Sequence, residues 1–561
     1  MWHRAWRYGL LGLSLAYEAL AAILGRRPSY GILNLDLTGE LPEEPLESRL
    51  LGLVQRRRDD YFSLIALLRW AREDAGLRAV FVRCDNLRIG WAKLQEIARS
   101  LTALREAGKT VWVYLTHAGI REYVLASAAD QVVLAPAGTL DVAGLSSEVT
   151  FIAGTLKKLG IEAELVQMGK YKSAAETFTR SDMSEPHREM VESLIQDLYE
   201  QVTEAIASGR RIAAEAARAV LDRGPFTARE AGQLHLVDAL LYQDEAEERL
   251  RAQLDNARVI DRGDYLRRRA HAVRREVLRH DRPSIGLLHV TGTIKTGESI
   301  SGTDAASACG AATVARTLNS LRERRDIGAV VIRVSSPGGS GLASDLIWHE
   351  VMRTRKQKPI VVSLGDVAAS GGYYVGVAGA PVLAAAGTIT GSIGVLAGKA
   401  VLKGLYDQLG VTKQVIARGR HTALHSDYIP LGDEERQRLQ AEAEFFYAGF
   451  VDKVASGRQL SAEAVMSAAE GRVWSGRQAK ALGLVDQLGG IESALDEAKV
   501  LAGLTPEARV AVERYPRPRR LWKVSLRPTP PQSRLQMLLP WARLIAGERV
   551  WAILPFDFRF F

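Results

Sequence analysis

Cysteine is scarce in this chain: 561 residues contain only two, Cys84 and Cys309. They fall at non-equivalent points of an internal repeat described below, so we predict that they do not pair. No Cys-x-x-Cys spacing is present, and we expect neither a metal site nor another cofactor. Such low cysteine usage suits the cytosol, or an envelope protein large enough to fold without disulfides.

The chain also lacks an unambiguous membrane-spanning run. The apolar stretch from Tyr8 to Leu24 is shorter than the about 20 residues that a spanning helix needs, and it contains Glu18. An acidic side chain near the centre of such a helix costs on the order of 2.5 to 3.5 kcal/mol. We expect residues 1–27 to form a short hydrophobic helix that serves as an uncleaved anchor. An amphipathic surface helix and a cleaved signal ending near Ala19-Leu-Ala21 are the alternatives.

Large charged blocks and nucleic-acid motifs are absent as well. The formal net charge is +9, but basic and acidic residues are mixed along most of the chain. Arg262–Arg282 and Arg514–Arg527 are locally basic, which favours a solvated linker or helix face, with membrane-surface contact as the second interpretation. No zinc finger, RNA-binding sheet motif or Walker loop is found, so no nucleic-acid partner is expected.

What the chain does contain is an internal duplication. Segments of similar sequence recur in the same order in both halves, which predicts two homologous domains. The matching pairs are Ala79–Arg83 with Ala329–Arg333, Tyr123–Ala126 with Tyr373–Gly376, Gly169–Lys172 with Gly419–Thr422, and Phe226–Asp238 with Trp474–Asp486. We place the anchor at 1–27, the first repeat at 28–245, a charged connector at 246–282, the second repeat at 283–503 and a C-terminal extension at 504–561.

Each repeat alternates apolar strands with amphipathic helices. The predicted strands begin near Gly31, Ala79 and Thr110 in the first repeat, and near Gly286, Ala329 and Pro359 in the second. This alternation predicts an α/β fold with mainly parallel sheets and right-handed crossovers. Chemistry in such folds sits at the carboxyl ends of the strands.

The repeats differ at those strand ends. The second repeat has Ser335-Ser-Pro-Gly-Gly339 and Ala369-Ser370-Gly-Gly-Tyr373, whereas the first has Asp85–Ile89 and Gly119–Tyr123 at the matching places. Ser370 follows a strand at the predicted first turn of a helix, among small residues that leave space around its hydroxyl. We therefore predict that Ser370 is a nucleophile.

Glycines near Ser370 suggest how negative charge is stabilised. The backbone N–H of Gly338 or Gly339, together with that of Gly371, could form an oxyanion hole. The base that activates Ser370 is less obvious. His289 and His349 are better explained as core or surface residues, which leaves His421, His425 and Lys172; a lysine base requires its pKa to fall by about three units from roughly 10.4.

Four motifs together resemble the signal peptide peptidase A family, peptidase family S49, in its long, duplicated form. They are Ser335-Ser-Pro-Gly-Gly-Ser340, Gly365-Asp-Val-Ala-Ala-Ser-Gly-Gly-Tyr-Tyr374, Thr390-Gly-Ser-Ile-Gly394 and Gly169-Lys-Tyr-Lys-Ser-Ala174. The resemblance implies two tandem ClpP/crotonase-like repeats and a Ser-Lys dyad, in which Ser370 attacks and Lys172 is the general base. It also implies that Ser392 hydrogen-bonds the lysine amine, and that the protein is a homotetramer. Thr177 and Ser335 depart from the family pattern of Pro and Asn.

The function implied by this resemblance is that of an endopeptidase for hydrophobic peptides, such as remnant signal peptides. We expect attachment to the cytoplasmic (inner) membrane by the N-terminus, with the catalytic part on the periplasmic or extracytoplasmic side. Two alternatives remain: a crotonase-like acyl-CoA enzyme that uses the glycine amides without a nucleophile, and a catalytically inactive membrane-associated scaffold.

Overall fold

The computed structural model describes residues 30–44, 47–50, 53–56, 60–269, 282–300, 307–516 and 550–553. The predicted anchor at 1–27 lies outside these residues, as does the part of the connector from 270 to 281. Among the described residues, no helix combines the length and the apolar character needed to cross a membrane.

The described residues of the first half form ten strands. They are β1 (Ile32–Gly39), β2 (Glu47–Leu50), β3 (Leu53–Arg56), β4 (Ala79–Leu87), β5 (Thr110–Gly119), β6 (Gln131–Asp141), β7 (Glu162–Met168), β8 (Phe226–Thr227), β9 (Ala239–Leu240) and β10 (Val259–Asp261). The helices between them are Tyr61–Glu73, Trp91–Glu106, Ile120–Ala126, Ala153–Lys158, Glu176–Thr179, Glu185–Arg210, Ala214–Arg223, Ala228–Gln233 and Gln243–Gln253, with a short 3-10 helix at Ser173–Ala175.

Within the described ranges, the second half adds thirteen strands. They are β11 (Ser284–Thr291), β12 (Thr293–Lys295), β13 (Ala308–Gly310), β14 (Ile327–Ser336), β15 (Gly338–Ser340), β16 (Ile360–Ala369), β17 (Val382–Ala384), β18 (Ile389–Gly391), β19 (Val395–Val401), β20 (Val473–Ser475), β21 (Gln487–Leu488), β22 (Val512–Tyr515) and β23 (Val550–Ile553). The helices are Ala311–Glu323, Gly341–Arg355, Gly371–Gly376, Lys403–Gln408, Asp433–Arg458, Ala462–Ala468, Gly476–Ala481 and Ile491–Leu501, with a 3-10 helix at Thr422–His425.

The two main sheets repeat one topology. The first has the order β10-β1-β4-β5-β6-β8, with β9 beside β6, and the second has the order β20-β18-β16-β14-β11-β22, with β17 joining β16 to β21. Pairing is parallel throughout except at β8 in the first sheet and β20 in the second. The prediction of two α/β repeats with mainly parallel sheets is therefore confirmed.

Matching side chains brace both copies in the same way. Asp238 accepts a hydrogen bond from the backbone N–H of Val132 at 2.7 Å, and Asp486 does the same for Val382 at 2.7 Å. The hydroxyls of Tyr123 and Tyr373 donate to the carbonyls of residues 236 and 484 at 2.9 and 2.8 Å. The residues that repeat in the sequence are thus largely those that fix the scaffold, which explains why they are shared by both copies.

A third sheet joins the two halves. Its order is β13-β12-β15-β23-β19-β7, so that β7 of the first half is an edge strand of a sheet otherwise built from the second half. β7 runs antiparallel to β19 along its whole length, from Val395 opposite Met168 to Val401 opposite Glu162. Because β7 ends at Met168, this pairing places the segment that contains Lys172 next to the second repeat.

The halves also cap each other's helices. The Asp366 carboxylate, near the end of β16, accepts hydrogen bonds from the N–H groups of Gly90 and Lys93 at 3.2 and 2.9 Å, at the start of the helix Trp91–Glu106. In return, Glu96 of that helix accepts from the N–H of Ile491 at 2.7 Å, at the start of the helix Ile491–Leu501. Helix N-termini leave N–H groups that need such acceptors, so each repeat completes an element of the other.

A buried ion cluster lies beside these caps. Arg333 of β14 has no exposed surface and contacts Glu43 and Glu96 of the first half at 3.3 and 3.1 Å. Burial alone would raise the pKa of the Glu43 carboxyl, but the charges of Arg333 and Lys93 outweigh it and lower that pKa to about 2. Removing one partner would leave a buried charge uncompensated, which is strongly destabilising. The two halves are therefore fixed to one another.

Candidate active site

Ser370 stands at the N-terminus of a helix. It is the N-cap of the helix Gly371–Gly376, has φ 53° and ψ −116°, and has no exposed surface. Its N–H donates to the carbonyl of Gly391 at 2.8 Å. Such a backbone conformation is costly for a residue with a side chain and is characteristic of functional sites. The sharp turn from β16 into this helix directs the hydroxyl of Ser370 toward the first repeat.

Lys172 of the first repeat meets that hydroxyl. Its Nζ lies 2.7 Å from Ser370 Oγ, 2.9 Å from Ser392 Oγ and 3.2 Å from the Ser392 carbonyl oxygen. All three side chains are completely buried. The structure thus brings together the three side chains that the sequence selected, two from the second repeat and one from the first.

The surroundings of Lys172 favour its neutral form. Burial lowers the pKa of its amine well below the ordinary value, and its three hydrogen-bonding neighbours are all uncharged oxygens. A neutral amine has two N–H donors and one lone pair. It can donate to both oxygens of Ser392 and still accept the proton of the Ser370 hydroxyl.

The loop that carries Lys172 is held by the second repeat. The N–H of Tyr171 donates to the carbonyl of Glu470 at 2.8 Å, and the N–H of Lys172 donates to the carbonyl of Gly169 at 3.0 Å. Gly471 has φ +80°, and a Cβ on it would lie 2.5 to 2.6 Å from the backbone N, Cα and Cβ of Lys172. Only glycine allows the two loops to approach so closely. Glu470 and Gly471 carry no signal in the sequence beyond their position just before the repeated Trp474–Asp486 segment.

The glycine segment Gly338–Gly339 lies in a strand. Ser336 ends β14, and Gly338 to Ser340 form the buried strand β15 rather than a loop, because β15 pairs with β12 and β23. Gly338 and Gly339 have φ of 105° and 151°, which glycine tolerates at little cost. The Gly338 N–H donates to Ser336 Oγ at 3.1 Å. Gly371 is the first residue of its helix, so its N–H has no acceptor within the helix.

The candidate histidines lie in other environments. His289 is buried in β11, where desolvation lowers its pKa to about 4, and His349 is exposed on the helix Gly341–Arg355. His421 Nδ1 lies 3.3 Å from Glu435 Oε1, and His425 is exposed. Ser370, by contrast, is completely buried beside Lys172.

The histidine pair His421 and His425 and the two cysteines are the remaining candidates for a metal site or a disulfide. His421 and His425 are four residues apart, a spacing that can hold a metal on an α-helix, but here His421 precedes a short 3-10 helix and His425 is its last residue. Within the described ranges, no group of three or more His, Cys, Asp or Glu side chains is arranged to hold a metal ion. Cys84 and Cys309 are both buried and free, as predicted.

The positions equivalent to Ser370 and Lys172 in the opposite repeats hold different residues. Ile120 begins the helix Ile120–Ala126 where Ser370 caps the helix in the second repeat. Thr422 begins the 3-10 helix Thr422–His425 at the position that Lys172 holds before Ser173–Ala175. Each half therefore contains one of the two groups that meet at 2.7 Å.

Comparisons with known proteins place the chain in a class and a family. A protein-family model, "Peptidase family S49", matches residues 103–257 and again 352–505. The chain is 30% identical over 493 residues to "Serine protease SPPA, chloroplastic" of Arabidopsis thaliana, across 87% of this chain and 71% of that protein. It is also 30% identical over 501 residues to "Protease 4" of Salmonella typhi, across 84% and 79% of the two chains.

These matches show that the protein is a serine peptidase. The chain belongs to peptidase family S49, and the double match along one chain confirms the resemblance to the long, duplicated form. Among solved structures, ClpP1 from Listeria monocytogenes aligns with a TM-score of 0.22 at 15% identity, over 36% of this chain and 91% of that chain. A mutant of "1510-N membrane-bound stomatin-specific protease" aligns with a TM-score of 0.27 at 12% identity, over 42% and 99%.

Proposed function

We propose that this serine peptidase uses a Ser-Lys dyad, with Ser370 as nucleophile and Lys172 as general base, to cleave hydrophobic peptides such as remnant signal peptides. The 2.7 Å approach of Lys172 Nζ to Ser370 Oγ in a fully buried setting supports this proposal most directly. A serine hydroxyl needs a neighbouring base to become a nucleophile, and burial lowers the pKa of the Lys172 amine well below its ordinary value, which favours the neutral form that can accept a proton.

The first half of the reaction forms an acyl-enzyme. The neutral amine of Lys172 takes the proton of Ser370 as its Oγ attacks the peptide carbonyl carbon, which makes the Oγ–C bond and an oxyanion. The resulting ammonium then gives the proton to the nitrogen of the leaving amine as the peptide C–N bond breaks. In the second half, Lys172 takes a proton from water as the water attacks the ester carbon. It then gives that proton to Ser370 Oγ as the Oγ–C bond breaks and the carboxylic acid product leaves.

Backbone amides stabilise the oxyanion in this scheme. The N–H of Gly371 is available at the start of its helix, where the helix dipole also favours negative charge. Gly338 or Gly339 supplies the second donor. In the case of Gly338, the hydrogen bond to Ser336 Oγ must be exchanged for one to substrate. Ser392 acts as a positioning residue, because its two oxygens fix the direction of the Lys172 amine.

Apolar surroundings support a hydrophobic substrate. Ala174, Ala175 and Leu396 form a small buried apolar cluster immediately beyond Lys172. A peptide bound in extended form alongside such residues gains free energy by burying its own apolar side chains, on the order of 25 cal/mol per Å². The N-terminal segment 1–27 would hold the enzyme at the inner membrane, with the catalytic part on the extracytoplasmic side.

Assembly into a homotetramer is part of the proposal. β19 of the second repeat pairs with β7 of the first, whereas the equivalent segments, 145–151 and 412–418, are not strands in this structure. Val415 and Ile416 in the latter are 48% and 88% exposed. Pairing of these two segments between neighbouring chains would repeat the internal contact around a ring. Sedimentation of the intact protein tests this arrangement, and a monomer at micromolar concentration would contradict it.

Labelling of the serine tests the chemistry. A fluorophosphonate probe should label wild type at Ser370, and an apolar peptide ester should be hydrolysed, with both activities lost in Ser370→Ala. An acyl-CoA enzyme would instead bind CoA and retain its activity in Ser370→Ala. Absence of any labelling of the folded protein would support an inactive scaffold and overturn the proposal.

A further inference from the structure

The C-terminal strand β23 lies next to the catalytic groups. Its residues, Val550–Ile553, are inserted between β15 and β19 and run antiparallel to both. Ile553 is opposite Gly338 and Ala552 is opposite Gly339. These are the two glycines whose amides are candidates for the second oxyanion donor. β23 also approaches the helix Gly371–Gly376, whose N-cap is Ser370.

The direction of β23 is set by both neighbours. Along β15, successive residues of β23 pair with Ser340, then Gly339, then Gly338, toward the end of β14. Along β19, Val550 pairs with Ala397 and Trp551 with Leu396, so that the strand advances toward Ser392. The carboxyl end of β23 is therefore its end nearest the catalytic serines.

A substrate would need the same place. The carbonyl that Ser370 attacks must lie at the amides of Gly371 and Gly338 or Gly339, and the residues before it must extend away from them. Extended peptides bind most readily by adding a strand to exposed strand edges. β15 and β19 provide two such edges beside the nucleophile, and the gap between them contains β23.

We propose that residues 550–553 are an internal competitor, which occupies the position of the acyl side of a substrate strand and must leave before a peptide can bind. This inference rests on the proposed function. With β23 in place, Ser370, Lys172 and Ser392 are completely buried. β23 pairs with β19 at only its first two residues within the described chain, whereas β7 pairs with β19 end to end. A four-residue strand with so few pairs can be displaced without disturbing the two main sheets.

Proline at position 552 should release the competitor. Proline lacks the N–H and is not accommodated in a central strand, whereas Ala552→Ser keeps the N–H and serves as the matched control. In the full-length protein, we expect Ala552→Pro to lower KM for a short apolar peptide about threefold or more with kcat unchanged, because the open fraction rises. Ala552→Ser should behave as wild type. A raised KM or a reduced kcat in Ala552→Pro would show that β23 is a working part of the site and overturn the proposal.

A reversible cross-link should have the opposite effect. Ala397 and Val550 are directly opposite, so the pair Ala397→Cys and Val550→Cys can form a disulfide that keeps β23 in the groove. Oxidation should reduce peptide hydrolysis at least about tenfold and reduction should restore it, while each single cysteine variant stays unaffected by the same treatment. Failure of the cross-link to form, or full activity of the cross-linked protein, would contradict the proposal.

A binding measurement separates this inference from the proposed function. In a Ser370→Ala background, a fluorescent apolar peptide should bind more tightly when Ala552→Pro is added, whether or not the enzyme hydrolyses peptides. If Ala552→Pro tightens binding in the Ser370→Ala background but the protein that retains Ser370 does not hydrolyse the peptide, the internal competitor is supported and the peptidase chemistry is refuted. Equal peptide affinity of the Ser370→Ala variant with and without Ala552→Pro would refute the internal competitor and leave the proposed function unaffected.

Discussion

The Nζ of Lys172 lies 2.7 Å from the Oγ of Ser370, although 198 positions separate the two residues in sequence. The lysine comes from the first repeat and the serine from the second, so neither half contains both groups. The contact depends on the β7–β19 pairing and on the loop of Glu470 and Gly471 that receives Lys172. An active site of this kind can form only after both repeats have folded and docked.

The close packing of Gly471 on Lys172 predicts a loss of activity on adding one methyl group. In Gly471→Ala the new Cβ would collide with the backbone of Lys172 at 2.5 to 2.6 Å, and a displacement of about 1 Å can cost about 100-fold in rate. Gly483→Ala is the matched control, since Gly483 also has a positive φ (+73°) but a Cβ there would only touch Leu460 at 3.4 Å. We expect kcat to fall about 100-fold in Gly471→Ala alone; equal losses in both variants would attribute the effect to backbone strain.

The helix cap formed by the Asp366 carboxylate predicts that the Asp366→Asn substitution weakens the junction between the repeats. Its two carboxylate oxygens serve Gly90 and Lys93, and the amide of Asp366→Asn offers only one oxygen, which should cost about 1 kcal/mol. Hydrogen exchange at residues 90–93 should become faster and the urea midpoint lower. Asp255→Asn, whose side chain is 89% exposed, should change neither. Unchanged exchange in Asp366→Asn would show that the cap is not maintained in solution.

Much of the fold could be predicted from the sequence, because the repeated segments are scaffold residues such as Asp238 and Asp486 and the strands alternate with helices. Ser370 could be selected because two glycine-rich strand ends occur together in one repeat and are missing from the other. Lys172 could be selected only through family resemblance, since a single lysine carries no local signal and its burial is created by contacts across the repeats. The strand β23 could not be foreseen, because its pairing partners lie far away in sequence.

Burial of an uncharged lysine predicts a cost in stability. The pKa of Lys172 is lower in the folded than in the unfolded protein, so the unfolded chain binds more protons between the two pKa values, and stability rises with pH across that interval. Lys172→Met removes the cost and should raise Tm by a few degrees. The gain should be larger near about pH 6 than near about pH 10. A Tm below that of wild type would mean that the amine is a stabilising, charged group.

The two contacts of Ser392 predict a positioning role. Ser392→Ala removes the 2.9 Å partner of the amine but leaves the carbonyl contact, and a lost hydrogen bond of about 1.4 kcal/mol corresponds to about tenfold in kcat. KM should change little, and the acidic limb of the pH–rate profile, along which the lysine loses its proton and becomes an active base, should move, because the lysine has lost one neighbour. Ser392→Thr, which keeps the hydroxyl, should recover part of the rate. A loss confined to KM would instead place Ser392 in substrate binding.

The identity of the base is the central claim, and kcat/KM for an apolar peptide ester in two variants tests it most directly. Lys172→Met should reduce kcat/KM by about a thousandfold or more, while the double variant His421→Ala, His425→Ala should stay close to wild type. Both proteins should remain folded by circular dichroism. Retained activity in Lys172→Met together with its loss in the histidine variant would contradict the Ser-Lys assignment and point to a histidine base.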